Sequence, residues 1–424
     1  MRQYKFAVAL LSAAILAGCG GGSTGGNQST KIQFTSQVSF GDSLSDVGTY
    51  AVGTVATLHG GKFTVNSLTP SAQNWTELMA STLGLPAPCP AQTGLNGLAS
   101  QGFAIPVVNH AGCFGYGQGG ARVTLPFGPS NASLAASLGG STVLGALTVP
   151  VVTQIQNHLA AVGGKFSGTE IVFVLAGAND VFVQLATLNV NATAAGTVAA
   201  TAAVTAAVPA KVASDIAAGL CTPTDAQASN CVAQAVTELT PTVGATAGAA
   251  AANAYVNNTG APAAVQALGL AGAQLAGYVN TLIVGNGAKY VTVINVPDIG
   301  TTPQGNSFSA STLSLVNTMV STFNSQLQSG LSASPNVLLV DANTQSHLNN
   351  LDPSQYGITN ATTPACNLAA AVNPLQSSLT CTTANVIAGD VSHYLYADSI
   401  HPTPYGYSLL AKYVATQMAR RSWL

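Results

Sequence analysis

Four short, mostly apolar runs constrain this chain more than any other feature: Gln37 to Phe40, Glu170 to Leu175, Tyr290 to Val296 and Asn336 to Val340. Each has the length of a strand. Between them the apolar period becomes helical. Val151, Ile155, His158 and Leu159 fall on one helical face, and Leu268, Leu275, Val279 and Leu282 on another, just before Gly285-Asn286-Gly287. Nearly continuous apolar strands alternating with helices predict an α/β fold whose parallel sheet is covered on both faces. In such sheets chemistry collects beyond the carboxyl ends of the strands. Gly41-Asp42-Ser43, Gly177-Ala178-Asn179-Asp180 and Pro297-Asp298 all fall there.

The first nineteen residues read as targeting. Arg2 and Lys5 precede an apolar stretch from Phe6 to Ile15, and Leu16-Ala17-Gly18-Cys19 closes it with small residues. That ending resembles a bacterial lipoprotein lipobox, which implies a lipidated Cys19 as the mature N-terminus. Residues 20–32 form a flexible Gly-, Ser- and Thr-rich tether, holding the domain on the order of 20 Å from its anchor. Gly20 after the cysteine favours an outer-membrane destination, so the expected location is outside the cytoplasm, lipid-anchored to the outer membrane of a Gram-negative bacterium. No other stretch reads as a membrane span.

Six further cysteines fall into three close sequential couples. The expected disulfides are Cys89–Cys113, Cys221–Cys231 and Cys366–Cys381, in keeping with an oxidising compartment. No CxxC or paired histidines favour zinc, so no metal is expected. Only 6% of residues are charged, against about 25% in ordinary soluble proteins. Without Arg2 and Lys5, nine basic residues face thirteen acidic ones, a net charge near −4. With no basic run, nucleic acid is excluded as a partner.

Residues 33–424 are expected to form one domain, interrupted at about 182–261 by an alanine-rich segment of two or three small-residue helices around the Cys221–Cys231 loop. This segment follows a site-bearing loop directly. It is either a cap over the pocket or an embellishment away from it.

Ser43 stands at a sharp strand exit, where Gly41 permits a tight turn and the serine can present both its hydroxyl and its own N–H to a carbonyl. Gly-Asp-Ser alone also occurs in ordinary turns. Its meaning depends on partners elsewhere in the chain. Asp398-Ser399-Ile400-His401 supplies an imidazole base and, three residues earlier, a carboxylate to orient it. Pro402 and Pro404 stiffen this loop before a helix begins near Tyr405. Gly119-Gly120-Ala121-Arg122 offers an unshielded backbone N–H, and Asn179 a side-chain amide, as oxyanion donors beside the N–H of Ser43. The other histidines, His59, His110, His158, His347 and His393, are expected in structural or surface roles, His158 as a satisfied boundary residue. Gly21-Gly22-Ser23-Thr24-Gly25 matches a nucleophile-elbow pattern, but it lies in the tether without a strand or helix around it.

In order, Gly41-Asp42-Ser43-Leu44, Gly119-Gly120-Ala121-Arg122, Gly177-Ala178-Asn179-Asp180 and Asp398-Ser399-Ile400-His401 resemble the four blocks of the GDSL, or SGNH, hydrolases. The resemblance implies a flavodoxin-like three-layer α/β/α sandwich hydrolysing carboxylic esters without a cofactor. It implies Ser43 as nucleophile, His401 as base, Asp398 as its orienting acid, and Ser43, Gly120 and Asn179 as the oxyanion hole. The expected partners are a small-molecule or lipid ester and, through the anchor, a membrane; the chain is expected to act as a monomer. An acyltransferase or a phospholipase would use the same site. A non-catalytic surface-anchored binding protein is the rival of another class, against which the complete residue set argues.

Overall fold

The computed structural model describes residues 32–66, 73–222, 225–331 and 334–424. The signal segment with Cys19, and the tether through residue 31, lie outside the described residues.

Among the described residues six strands occur: β1 (Gln37–Gly41), β2 (Gln92–Asn96), β3 (Ala104–Asn109), β4 (Ile171–Leu175), β5 (Tyr290–Ile294) and β6 (Val337–Val340). The central sheet is parallel, in the order β1-β4-β5-β6, with Gln37 beside Ile171, Ile171 beside Tyr290, and Val291 beside Val337. All four of its strands are the apolar runs of the sequence. β2 and β3 form a separate antiparallel hairpin.

A fifth, very short segment borders β1. Ser39 N–H donates to Phe114 O, Tyr116 N–H to Ser39 O, and Gln118 N–H to Gly41 O. Counted as the second strand, it gives the flavodoxin-like spatial order 2-1-3-4-5. Its Gly-Tyr-Gly sequence lacks the branched residues that mark strands.

Besides two short helices, Gly53–Thr57 and Ala132–Leu138, the described residues form α1 (Trp75–Thr82), α2 (Val151–Ala161), α3 (Ala178–Ala217), α4 (Asp225–Leu239), α5 (Ala245–Tyr255), α6 (Ala261–Tyr278), α7 (Ala310–Leu331), α8 (Ala342–Leu351) and α9 (Pro404–Arg420). Alternation along the strands sorts the core into two layers. On one face Phe40, Val172, Val174 and Val293 meet Ile155 of α2, Leu268 and Leu275 of α6, and Phe323 of α7. On the other, Phe173, Leu175 and Ile294 meet Trp75 and Met79 of α1 and Tyr407, Val414 and Met418 of α9. The architecture is a three-layer α/β/α sandwich.

His158 departs from the boundary role expected of it. It is fully buried, with the rings of Phe40, Phe114, Tyr116 and Phe166 centred 4.7–5.7 Å away. Its Nδ1 has no hydrogen-bond partner among the described residues, and burial pushes its pKa down to about 4.

The alanine-rich segment is a long helical hairpin. α3 runs out for 40 residues, and α4, α5 and α6 return, joined by π-helical turns at Thr240–Gly244 and Val256–Gly260. The Cys221–Cys231 disulfide closes the tip; the Cys89–Cys113 and Cys366–Cys381 pairs are also present. Gly196 and Gly248 bring the arms together so closely that a Cβ on Gly196 would lie 2.9 Å from Gly248 O. The hydroxyls of Thr197, Thr201 and Thr205 donate to carbonyls four residues back, satisfying polar groups without charges. By length and composition alone both arms are apolar enough to cross a membrane, which the sequence reading did not expect. α6, in the return arm, is a core helix whose Leu268 and Leu275 pack against the sheet layer.

Candidate active site

Each of the expected chemical groups sits at a carboxyl end of the sheet or on a loop folded over it. β1 ends at Gly41, where a Cβ would lie 2.3 Å from the carbonyl oxygen of Leu175 in β4. Only glycine permits so close an exit from the sheet. The side chain of Gln154 on α2 then holds this residue from both sides: Gly41 N–H donates to Gln154 Oε1 and Gln154 Nε2 to Gly41 O, each at 2.8 Å. Asp42 caps the following 3₁₀ turn by accepting from Leu44 N–H at 3.1 Å. Ser43 is the first residue of that turn, where an N–H has no partner within the turn.

Ser43 Oγ lies 2.9 Å from His401 Nε2, and His401 Nδ1 lies 2.8 Å from Asp398 Oδ2 and 3.0 Å from Oδ1. The three residues, 358 positions apart at their extremes, thus form one hydrogen-bonded chain. Asp398 also accepts from the N–H groups of Ile400, His401 and Ser378. Burial by itself raises this carboxyl, but the His401 imidazole and these donors outweigh it and hold the group well below the usual carboxylate range. The loop is stiffened by the Cys366–Cys381 disulfide: Cys366 N–H donates to Ala397 O, and Ser378 lies between the two cysteines. The ring of Phe63 covers His401, with centroids 4.9 Å apart.

The glycine loop is held by two further carboxylates. Asp46 Oδ2 accepts from Gly119 N–H at 2.9 Å, while its Oδ1 accepts from Gly48 and Thr49. Burial raises the Asp46 pKa to about 6, against the pull of these donors. Arg122 Nε donates to Asp180 Oδ1 at 3.0 Å, and Val123 N–H to Asp180 Oδ2 at the same distance. Burial raises the Asp180 carboxyl, and Arg122 offsets this only in part. Asn179 Nδ2 donates to Ala121 O at 2.9 Å, which orients the amide and ties it to the same loop. Gly120 adopts a left-handed φ of 80°, and a Cβ there would lie 2.4 Å from Pro129 O.

Asp42, Ser43, Gly119, Gly120, Asn179 and His401 line one cavity of about 880 Å³. The helical hairpin lines it too, through Phe182 and Leu185 of α3 and Val256 of the return arm. The segment between Cys89 and Cys113 does not appear among the residues that line it. Sequence reasoning had assigned no role to Asp42, Asp46, Gln154, Arg122 or Asp180. Their one available signal is that charged or amide residues are rare in this chain and these fall inside or beside apolar, glycine-rich blocks.

A family model described as GDSL-like Lipase/Acylhydrolase matches residues 249–414. The match supports kinship with the GDSL hydrolases and an activity of the lipase or acylhydrolase type in general. It includes Asp398 and His401 and stops short of Ser43, Gly120 and Asn179. No curated protein matches the chain.

Asp42 generates a pH-dependent expectation. Its carboxyl is buried, its Oδ2 has no hydrogen-bond partner among the described residues, and burial raises its pKa to about 7. Raised above its unfolded value of 3.8, the group favours folding below about pH 4, and this contribution is lost as pH rises through about 7. Asp42→Asn should therefore gain stability relative to the unsubstituted protein as pH rises from 4 to 8. Denaturant melts across that range check it; parallel stability curves for the two proteins would contradict it.

Proposed function

We propose that the chain is a serine ester hydrolase of the GDSL type, using Ser43, His401 and Asp398 as a triad and forming an acyl-enzyme. The observation that carries this reading is the unbroken chain from Ser43 Oγ through the imidazole to Asp398. His401 Nε2 takes the proton of Ser43 as Oγ attacks the ester carbonyl carbon. The carbonyl oxygen becomes an oxyanion received by the N–H groups of Ser43 and Gly120 and the amide of Asn179. Collapse of this intermediate breaks the bond to the alcohol oxygen, which takes the proton from His401. Water then repeats the sequence, releasing the acid and restoring Ser43. Asp398, kept ionised by its donors, stabilises the imidazolium and fixes the ring so that Nε2 faces Ser43.

Ser43→Ala and His401→Ala should each lower kcat on a p-nitrophenyl ester by about 10⁶-fold, and Asp398→Asn by about 10⁴-fold, with circular dichroism unchanged. Full activity in folded Ser43→Ala would rule out the nucleophile assignment.

The reading extends to location: an exported enzyme, lipid-anchored at Cys19 to the outer membrane of a Gram-negative bacterium. Support comes from the Leu16-Ala17-Gly18-Cys19 ending, the tether behind it and three disulfides suited to an oxidising compartment. Cells fed radiolabelled palmitate should label the protein, and Cys19→Ala should remove the label; equal labelling of both would contradict the anchor.

A further inference from the structure

The cavity is longer than the chemistry needs, and its walls are unequal. Asn179 stands in the first turn of α3, and the helix continues as one wall through Phe182, Leu185, Leu188 and Ala192. These positions recur every three or four residues, so they form a single stripe. From Asn179 to Ala192 the helix rises about 20 Å at 1.5 Å per residue. Opposite lie Val256, on the π-helical turn Val256–Gly260 of the return arm, and Leu315 of α7. Beyond Ala192 the arms meet at Gly196 and Gly248, which closes the far end.

The direction of the substrate follows from the proposed mechanism. The alcohol oxygen receives its proton from His401, so the leaving group lies on the side of His401 and Phe63. The acyl chain must then leave the carbonyl carbon on the other side, past Asn179 and along α3. That wall is mainly apolar, with Asn189 the polar side chain on it, while Asn253 and Asn257 line the cavity beside Val256 on the return arm.

We propose that the helical hairpin is the acyl-chain site, a mainly apolar cleft for long unbranched acyl groups whose depth is set by Ala192 and Val256. This rests on the hydrolase reading above. The π-helical turn inserts one extra residue per turn into the return arm. It sits where that arm borders the cleft, with Gly260 packed on Leu188. The small Ala192 side chain leaves the cleft free as far as the Gly196–Gly248 closure, and a bulkier one there would shorten it.

The test is a p-nitrophenyl ester series from acetate to palmitate, run on the unsubstituted protein, Ala192→Phe and, on the facing wall, Val256→Phe. The measured quantity is the ratio of kcat/KM for palmitate to that for acetate, with thermal melting to confirm folding. The expected result is a ratio at least tenfold lower in either folded variant. An unchanged ratio in both folded variants, with ester turnover intact, overturns this inference alone. No ester turnover by the unsubstituted protein overturns it together with the hydrolase reading.

Discussion

The parallel pairing of β1 with β4 is the constraint on which the rest of the molecule depends. It sets Gly41 beside Leu175, so that the two chains leave the sheet side by side, one toward Ser43 and the other toward Asn179. The crowding of Gly41 against the Leu175 carbonyl admits no side chain, and the Gln154 amide holds the same residue from α2. The Ser43 hydroxyl and the Asn179 amide therefore arrive at one cavity without any loop long enough to blur their separation. His401 comes from a remote part of the sequence and is fixed to this frame by a loop that a disulfide and several backbone donors hold rigid.

Around this frame lies a second set of charges that touches the glycine loop. Asp46 and the Arg122–Asp180 pair hold residues 119–123 in place through backbone N–H groups. Burying so many carboxylates in a chain with few charges is costly, and the raised pKa values of Asp42, Asp46 and Asp180 are the sign of that cost. A desolvation cost of this kind is expected where donors must stay fixed while charge develops on a substrate. Asp398 differs because its imidazole and backbone partners keep it ionised.

Much of this was legible in the sequence because its physics is local. Apolar runs of strand length gave the four sheet strands, and Val151, Ile155, Leu268 and Leu275 marked their covering faces. Sequential cysteine couples sufficed for the disulfides, since each closes a short loop. The edge segment at Phe114–Tyr116 escaped because it is very short and flanked and interrupted by glycines, and its pairing is with Ser39, far away in sequence. His158 was misjudged for a related reason: its helical face was clear, but the aromatic rings that enclose it come from β1, residues 114–116 and Phe166. The hairpin was visible as alanine-rich helix, whereas its contribution to the cavity depends on the angle at which α3 leaves Asn179, which composition does not encode. Asp46 and Asp180 were hidden because the groups of the glycine loop that they hold, the N–H of Gly119 and the N–H of Val123, lie more than fifty residues away.

The central claim is that Ser43 is a serine activated by His401. A fluorophosphonate probe tests it most directly, because it phosphonylates such a serine with loss of fluoride, and peptide mass spectrometry then locates the adduct. The account predicts a single adduct on the peptide containing Ser43, abolished in folded His401→Ala. An adduct on another serine, or an esterolytically active protein whose Ser43 peptide stays unmodified, would contradict it.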